Sequence, residues 1–188
     1  MQIGIDLGAT KIESVLLDQN GKEHLREREK SPQDYSKTLT SIKNIVNKIE
    51  KKFAKKFNVG VCHPGSIPSD TGLLKNANNS PWLNRKPFQK DISKLLDRTI
   101  YCENDANCFA LSEAKDGSAS HYKIVFGVIL GSGCGGGLVV DKKIISGTNN
   151  LSGEWGHNPL PYYGINEDIS VLQSTLVPNL DIEKFISG

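Results

Sequence analysis

The sequence lacks the features that would assign it to several specialised classes. It contains no run of about eighteen apolar residues, the length that a membrane-spanning helix requires. Its net charge is only +2 and its lysines form no clustered patch with aromatic residues, so we predict no nucleic-acid surface. No basic stretch followed by an apolar segment stands at the N-terminus, which predicts a cytoplasmic protein without a signal peptide.

Cysteine is also scarce. The chain has four cysteines, and no two of them show the CxxC spacing of a zinc or redox motif. Each lies in an apolar or glycine-rich context, so we expect reduced thiols: Cys62, Cys102, Cys108 and Cys134. What the chain does have is 37% hydrophobic and 23% charged residues, which suits a packed soluble core.

Apolar periodicity predicts an α/β fold in which a strand-turn-strand-strand pattern occurs twice. An apolar stripe from Tyr35 to Phe53, with alternating gaps of four and three, predicts a helix that Ser31 caps, with Pro32 at its first position. Small polar residues near 115–122 predict a boundary between residues 1–117 and 118–188. The predicted strands are Met1–Asp6, Ile12–Leu17, Glu23–Lys30, Val59–Cys62, Thr99–Cys102, Lys123–Leu130, Leu138–Val140 and Ile144–Ile145.

The first candidate site is the turn after the first strand. Small residues there expose backbone N–H groups, which can form an anion-binding nest for phosphate. Thr10 adds a hydroxyl, Lys11 adds a cation, and Asp6 could hold a water of a Mg²⁺ ion. The alternative is an ordinary β-turn with an incidental aspartate.

The second candidate site is the glycine-rich run at residues 131–137. It matches G-x-G-x-x-G, but a strand follows it and not the helix that a dinucleotide fingerprint requires. We therefore favour a second phosphate-binding hairpin over a dinucleotide oxidoreductase, with a glycine-rich structural bulge as the alternative.

Two further segments carry polar side chains suited to a sugar. Asp105 follows a predicted strand and begins a helix, where the helix dipole favours a carboxylate. It could cap that helix, or it could act as a general base that takes a proton from a sugar hydroxyl. Glu154 and His157, set among Gly, Trp and Pro, could bind a polyol or form part of a metal site.

In this order the motifs resemble the ROK family of sugar kinases, which belong to the actin-like ATPase superfamily with its ribonuclease H-like fold. Residues 3–13 resemble the family's first phosphate motif, and residues 131–133 resemble its second. Residues 75–78, 82–84, 104–108 and 153–161 are most similar to the bacterial fructokinase branch. The resemblance runs along the whole chain, and it implies a complete N-terminal lobe followed by part of a second lobe.

The resemblance also implies roles for individual residues. Asp105 matches the catalytic base of the family. The positions matching hexose contacts are Gly65, Asn84, Asn104, Glu154, His157 and Glu183. The positions matching phosphate contacts are Gly8, Ala9, Thr10, Lys11, Ser132 and Gly133.

Three departures from the family pattern matter. Ala9 replaces a usual glycine, which the nest tolerates if that position needs no positive φ. Many members bind zinc through one histidine and three cysteines, whereas this chain has Ser174, Leu176 and Asp181 at the cysteine positions. Structural zinc needs about four N or S ligands, so we expect no zinc. Family members continue beyond the equivalent of Gly188, so we expect the second lobe to be incomplete.

The sequence therefore predicts an ATP- and Mg²⁺-dependent hexose kinase, with fructose as the expected substrate and a homodimer as a possible assembly. The alternative is a catalytically incomplete sugar-binding or regulatory module of the same family. These two hypotheses differ in whether the chain binds a nucleotide as well as a hexose.

Overall fold

The chain divides into two compact units, Met1–Cys108 and Phe109–Gly188. The computed structural model describes residues 1–130, 134–147, 150, 152–153 and 155–157. The division lies within the third helix, earlier than the boundary predicted after residue 117.

The first unit is built on a five-stranded mixed sheet with the strand order β3-β2-β1-β4-β5. Strands β1, β2 and β3 form an antiparallel meander, while β4 and β5 run parallel to β1. The strands are β1 Gln2–Leu7, β2 Lys11–Leu17, β3 Glu23–Lys30, β4 Asn58–His63 and β5 Tyr101–Asn104.

Alternation along the strands gives this sheet one buried apolar face. Ile3, Ile5 and Leu7 of β1 are almost fully buried, and they join the core that also contains the apolar stripes of two helices. These helices are α1, Tyr35–Phe53, and α2, Phe88–Leu96. The other face of the sheet therefore carries the alternate residues, and it includes the candidate site residue Asp6.

The predicted start of α1 is wrong by one turn. Asp34, and not Ser31, caps the helix, because its side chain accepts a hydrogen bond from the backbone N–H of Lys37 at 2.9 Å. Gln33 has φ 54°, a left-handed conformation that cannot belong to a helix. The backbone N–H of Ser31 instead donates to the carbonyl of Thr10 at 3.0 Å, which ties the chain before α1 to the β1–β2 turn.

An ion pair joins α1 to the segment between α2 and β5. The Arg98 guanidinium contacts both carboxylate oxygens of Glu50, at 2.5 and 2.9 Å. It also donates to the carbonyl of Phe57 at 2.9 Å, and the N–H of Phe57 donates to Glu50 at 2.9 Å. The side chains of Arg98 and Glu50 are only 19% and 11% exposed, so this bidentate pair is well shielded from water.

The second unit carries a three-stranded antiparallel sheet with the order β6-β7-β8. Its strands are β6 Ile124–Leu130, β7 Cys134–Val140 and β8 Lys143–Ile144, so the predicted repetition of a three-strand meander is confirmed. Helix α3, Asp105–Lys115, begins in the first unit, and its residues Ala110 and Ala114 pack in a small core with Val125 and Val139.

The glycines after residue 133 belong to a strand and not to a turn, which corrects the sequence interpretation. Gly135, Gly136 and Gly137 pair in register with β6. A Cβ on Gly136 would lie 2.8 Å from the carbonyl oxygen of Gly153, and one on Gly153 would lie 1.9 Å from the carbonyl oxygen of Gly136. These glycines allow two backbone segments to pack against each other.

One face of β6 is apolar and open. Ile124, Phe126, Val128 and Leu130 alternate along the strand and are between 42% and 68% exposed. Among the helices in the described part of the chain, none is long and apolar enough to cross a membrane.

Candidate active site

The turn between β1 and β2 has free backbone amides. Its closing hydrogen bond runs from the N–H of Gly8 to the carbonyl of Lys11 at 2.9 Å. The carbonyl of Ala9 accepts a long hydrogen bond from the Gln33 side chain at 3.5 Å, and that of Thr10 is bonded to Ser31. Within the described residues, the N–H groups of Ala9 and Thr10 have no hydrogen-bond partner, so both can donate to an anion.

The alanine in this turn is compatible with its conformation. Ala9 is not among the described non-glycine residues with positive φ, so it needs none of glycine's conformational freedom. Gly8 is more restricted, because a Cβ there would lie 3.0 Å from the carbonyl oxygen of Lys11. The departure from the family pattern at Ala9 therefore leaves the turn intact.

The candidate base Asp105 stands at the first position of α3. Its Oδ1 accepts a hydrogen bond from the N–H of Ala106 at 2.8 Å. The N-terminal cap is made by its neighbour Asn104, whose Oδ1 accepts from the N–H of Asn107 at 3.1 Å. Because Asn104 provides the cap, the Asp105 carboxylate keeps acceptor capacity for a substrate hydroxyl.

Glu103 and Asn107 hold this helix start in place. One carboxylate oxygen of Glu103 accepts from the backbone N–H of Asn104 at 2.9 Å and from the side-chain amide of Asn107 at 3.0 Å. Asn107 is only 6% exposed, so its hydrogen bonds are protected from competition with water. The sequence interpretation gave no role to either residue.

The carboxylates of Asp6 and Asp105, far apart in sequence, influence each other electrostatically. Both side chains reach the surface, yet neighbouring protein removes part of their hydration, and this desolvation is the main cause that raises the pKa of each. The negative charge of Asp6 raises the pKa of Asp105 further, while the hydrogen bond from Ala106 partly offsets the rise. For Asp6 the second cause is the negative charge of Glu13.

The loop after β4 is attached to the same helix start. Asn104 donates from Nδ2 to the carbonyl of Gly65 at 3.0 Å, which links the end of β5 to this loop. Gly65 has φ 76°, and a Cβ there would lie only 2.2 Å from the carbonyl oxygen of Lys75. Glycine is therefore required at this position by the fold itself, whatever contact it makes with a hexose.

Asn84 is engaged by the backbone of the long loop between β4 and α2. Its Oδ1 accepts from the N–H of Ala77 at 3.0 Å, and its Nδ2 donates to the carbonyl of Ala77 at 3.4 Å. This pair of bonds orders the segment around residue 77, and it leaves Asn84 with one further donor and one further acceptor.

His63, at the end of β4, is a structural residue. It is 1% exposed, packs edge-on against Phe88, and its Nδ1 lies 3.1 Å from the carbonyl of Pro64. Burial lowers its pKa, so the neutral ring is favoured and Nδ1–H donates to that carbonyl.

The structure thus brings together Asp6, the β1–β2 turn, Asn104, Asp105 and Gly65 within the first unit. Asn84 is positioned in the long loop after β4, as described above. For His157 the structure gives only the backbone, in the short 3₁₀ helix Trp155–His157. Outside the described residues lie the predicted contacts Ser132, Gly133, Glu154 and Glu183 and the positions compared with zinc ligands, Ser174, Leu176 and Asp181.

Solved structures of other proteins share this fold. A ROK family glucokinase from Streptomyces griseus, solved in complex with glucose and AMPPNP, superposes with a TM-score of 0.75 over 85% of this chain and 50% of that one, at 24% identity. This likeness confirms the expected α/β fold of the actin-like ATPase type.

Residues 2–171 match the ROK family, and the chain belongs to that family. It is 41% identical over 166 residues to an N-acetyl-D-glucosamine kinase of Histophilus somni, covering 88% of this chain and 54% of that protein. It is 40% identical to an N-acetyl-D-glucosamine kinase of Yersinia pestis over all of this chain and 75% of that protein. The chain thus spans about half the length of the first relative. The expected fructokinase branch is not supported by these relatives.

Proposed function

We propose that this protein is an ATP-dependent hexose kinase whose substrate is N-acetyl-D-glucosamine. The observation that carries the proposal is the position of Asp105. Its carboxylate begins α3, keeps free acceptor capacity, and lies close enough to Asp6 for the charge of Asp6 to raise its pKa. Asp6 lies near the end of β1, just before the turn whose free amides suit a phosphate.

In this proposal Asp105 accepts the proton of the hexose hydroxyl that attacks the γ-phosphate. A raised pKa makes the carboxylate a better base than an ordinary aspartate. Such a base contributes about 10²–10⁴-fold to the rate, and positioning and charge neutralisation supply the rest.

The amides of Ala9 and Thr10, with the side chain of Lys11, would bind the nucleotide phosphates. Mg²⁺ bound with those phosphates would neutralise the charge that accumulates during transfer. The residues present fit this role, since Asp6 and Asp105 are neighbouring carboxylates whose mutual repulsion a cation would relieve. No group of three or more metal-binding side chains occurs in the described part of the chain, so phosphates and waters would provide most ligands.

Asn104 is well suited to orient the hexose. An amide side chain has two donor hydrogens and two acceptor lone pairs. The fold uses both donors, toward Gly65 and Asp105, and one acceptor, with Asn107, so one acceptor remains for a sugar hydroxyl. In the same proposal Gly65 and Asn84 border the hexose, and Glu154, His157, Glu183, Ser132 and Gly133 complete the sugar and phosphate contacts.

The choice of N-acetyl-D-glucosamine is supported by the two relatives at about 40% identity, both of which are kinases for that sugar. The nucleotide is supported by the AMPPNP bound in the Streptomyces griseus glucokinase. Fructose, the substrate expected from the motifs, is the competing hexose to be tested beside it.

The test is ADP release by the chain over a panel of N-acetyl-D-glucosamine, glucose, mannose and fructose, for the wild type and Asp105→Asn. We expect turnover with N-acetyl-D-glucosamine and a loss of about 10²–10⁴-fold in kcat in the variant. Asp70→Asn is a matched control, because Asp70 accepts the same type of bond from the next backbone N–H, at 2.8 Å, in an exposed loop.

The possible outcomes distinguish the choice of substrate, the role of the base and the kinase assignment. Turnover of fructose without N-acetyl-D-glucosamine would overturn the substrate and keep the kinase. Full activity in Asp105→Asn would overturn the role of the base. Calorimetry that detects hexose binding without nucleotide binding would favour a sugar-binding module instead.

A further inference from the structure

The sheet face opposite α1 and α2 contains a cavity of about 370 Å³. Gly4 of β1 and Gly60 of β4 leave space there because neither carries a side chain. Two thiols, those of Cys62 and Cys108, line the same cavity, and both residues are partly exposed. A small reagent that enters the cavity therefore reaches both sulfurs.

These two cysteines come from different elements. Cys62 lies near the end of β4, where its register neighbours are Asp6 on β1 and Glu103 on β5. Cys108 lies in the first turn of α3, three residues after Asp105 and so on the same side of that helix. The two thiols are neighbours in this cavity, and a hydrogen bond with Cys62 is the main cause that raises the pKa of Cys108.

We propose that Cys62 and Cys108 form an oxidisable dithiol, which a low-molecular-weight disulfide converts into an intramolecular disulfide bond. A disulfide requires sulfurs about 2.05 Å apart, so only cysteines that are neighbours in the fold can form one.

The chemistry balances as two successive thiol–disulfide exchanges. The thiolate of Cys62, which receives the hydrogen bond from Cys108, attacks one sulfur of the reagent R–S–S–R, forming a mixed disulfide and releasing one R–S⁻. The thiolate of Cys108 then attacks the Cys62 sulfur, which forms the Cys62–Cys108 bond and releases the second R–S⁻. Two protein thiols are oxidised, two R–SH molecules are produced after protonation, and both protons come from the cysteines.

The reduced pair is stable without an oxidant. Its hydrogen bond to Cys62 and its burial raise the pKa of Cys108, so this thiol stays protonated at neutral pH and exchanges slowly. The oxidation experiment accordingly needs excess reagent and long incubation.

Cys102 provides a matched control. It is adjacent to the pair in space, but its register neighbour is Val61, so its side chain belongs to the opposite, core-facing side of the sheet. It does not line the cavity, and burial raises its pKa to about 12. Cys102 should therefore remain a free thiol when Cys62 and Cys108 react.

The test uses the folded chain, reduced and then incubated with excess oxidised glutathione. We expect the intact mass to fall by two hydrogen atoms, and non-reducing peptide mapping to identify a Cys62–Cys108 link as the predominant product. Cys102→Ser should give the same link, whereas Cys62→Ser and Cys108→Ser should lose it. The link should be reversed by dithiothreitol.

Three results would overturn the proposal: free Cys62 and Cys108 after incubation, glutathione retained on either without a link, or a predominant link to Cys102 or Cys134. Incubation of the urea-unfolded chain under the same conditions shows that the reagent is competent, so an absence of reaction in the folded chain also counts against it.

The crosslink would have a consequence for activity that rests on the proposed function. Since Asp105 begins the turn that carries Cys108, tying this turn to β4 would change the position of the base and lower hexose phosphorylation reversibly. Peptide mapping detects the link without any activity, so failure of the link and failure of the kinase assignment are distinguishable.

Discussion

Replacing Gly65 with alanine should destabilise the first unit far more than an ordinary loop substitution. Gly65 lies where the loop after β4 packs against the chain around residue 75. The new Cβ would lie 2.2 Å from the carbonyl oxygen of Lys75 and 2.9 Å from the nitrogen of Ala77. Real Cβ atoms do not approach backbone atoms this closely, and neither partner is a flexible side chain, so one backbone segment must move.

The cost has two parts. A left-handed φ of 76° is unfavourable for alanine. Separating the two segments also strains the pair of hydrogen bonds between the backbones of Ser66 and Lys75, both 2.9 Å long. With about 1–2 kcal/mol for the conformation and about 1 kcal/mol for each hydrogen bond, we expect a loss of about 3–4 kcal/mol. For a chain of this size that loss lowers Tm by roughly 10 °C.

Gly72 provides the control, because it isolates the first part of the cost. It also has a positive φ, 64°, but a Cβ there would meet nothing within 4 Å. Gly72→Ala should therefore cost only about 1–2 kcal/mol. Urea unfolding followed by circular dichroism measures both variants. An equal loss of unfolding free energy in the two variants would contradict this prediction, because the close approach to Lys75 would then add no cost.

Two further substitutions should change the stability of the chain or the pKa of a neighbouring group in a defined direction. Arg98→Gln should destabilise the chain by about 2–3 kcal/mol, because it leaves the shielded Glu50 carboxylate without its partner. The hydrogen bonds from Arg98 lower the pKa of Glu50, so this stabilisation is present above the ordinary glutamate pKa and is lost as pH falls through the lowered one. The stability difference between wild type and variant should accordingly shrink toward acid pH in urea titrations, and a constant difference would contradict the assignment. Asp6→Asn removes the charge that raises the pKa of Asp105, so carbon NMR titration of Asp105 should show a lower pKa in the variant, and an unchanged value would exclude the coupling.

Sequence patterns predicted most of the local structure, because local structure depends on nearby residues. The apolar stripe from Tyr35 to Phe53 matches α1, and Asp105 begins a helix as expected. The cap of α1 was missed because the left-handed Gln33, which excludes Ser31 as the cap, has no strong signature in the sequence. Most strand ends differ from the predicted ones by one or two residues, which is the usual uncertainty of such boundaries.

Contacts between distant residues could not be predicted in the same way. The need for glycine at position 65 arises from the carbonyl of Lys75, and the pair formed by Cys62 and Cys108 arises from the packing of β4 beside α3. The pKa of Asp105 is raised mainly by desolvation and further by Asp6, at the other end of the unit's sequence. The identity of the hexose was also beyond local patterns, because kinases for different hexoses share the same motifs.

Gly136 and Gly153 form a pair with an unusual evolutionary constraint. Each occupies the space that a side chain on the other would need, at 2.8 and 1.9 Å from the facing carbonyl oxygens. A clash in a protein core can be relieved when the neighbouring side chain is replaced by a smaller one, but a glycine has no side chain to shorten. No second substitution at the facing position can therefore compensate for a first one. Either position can accept a larger residue only if the two backbones separate.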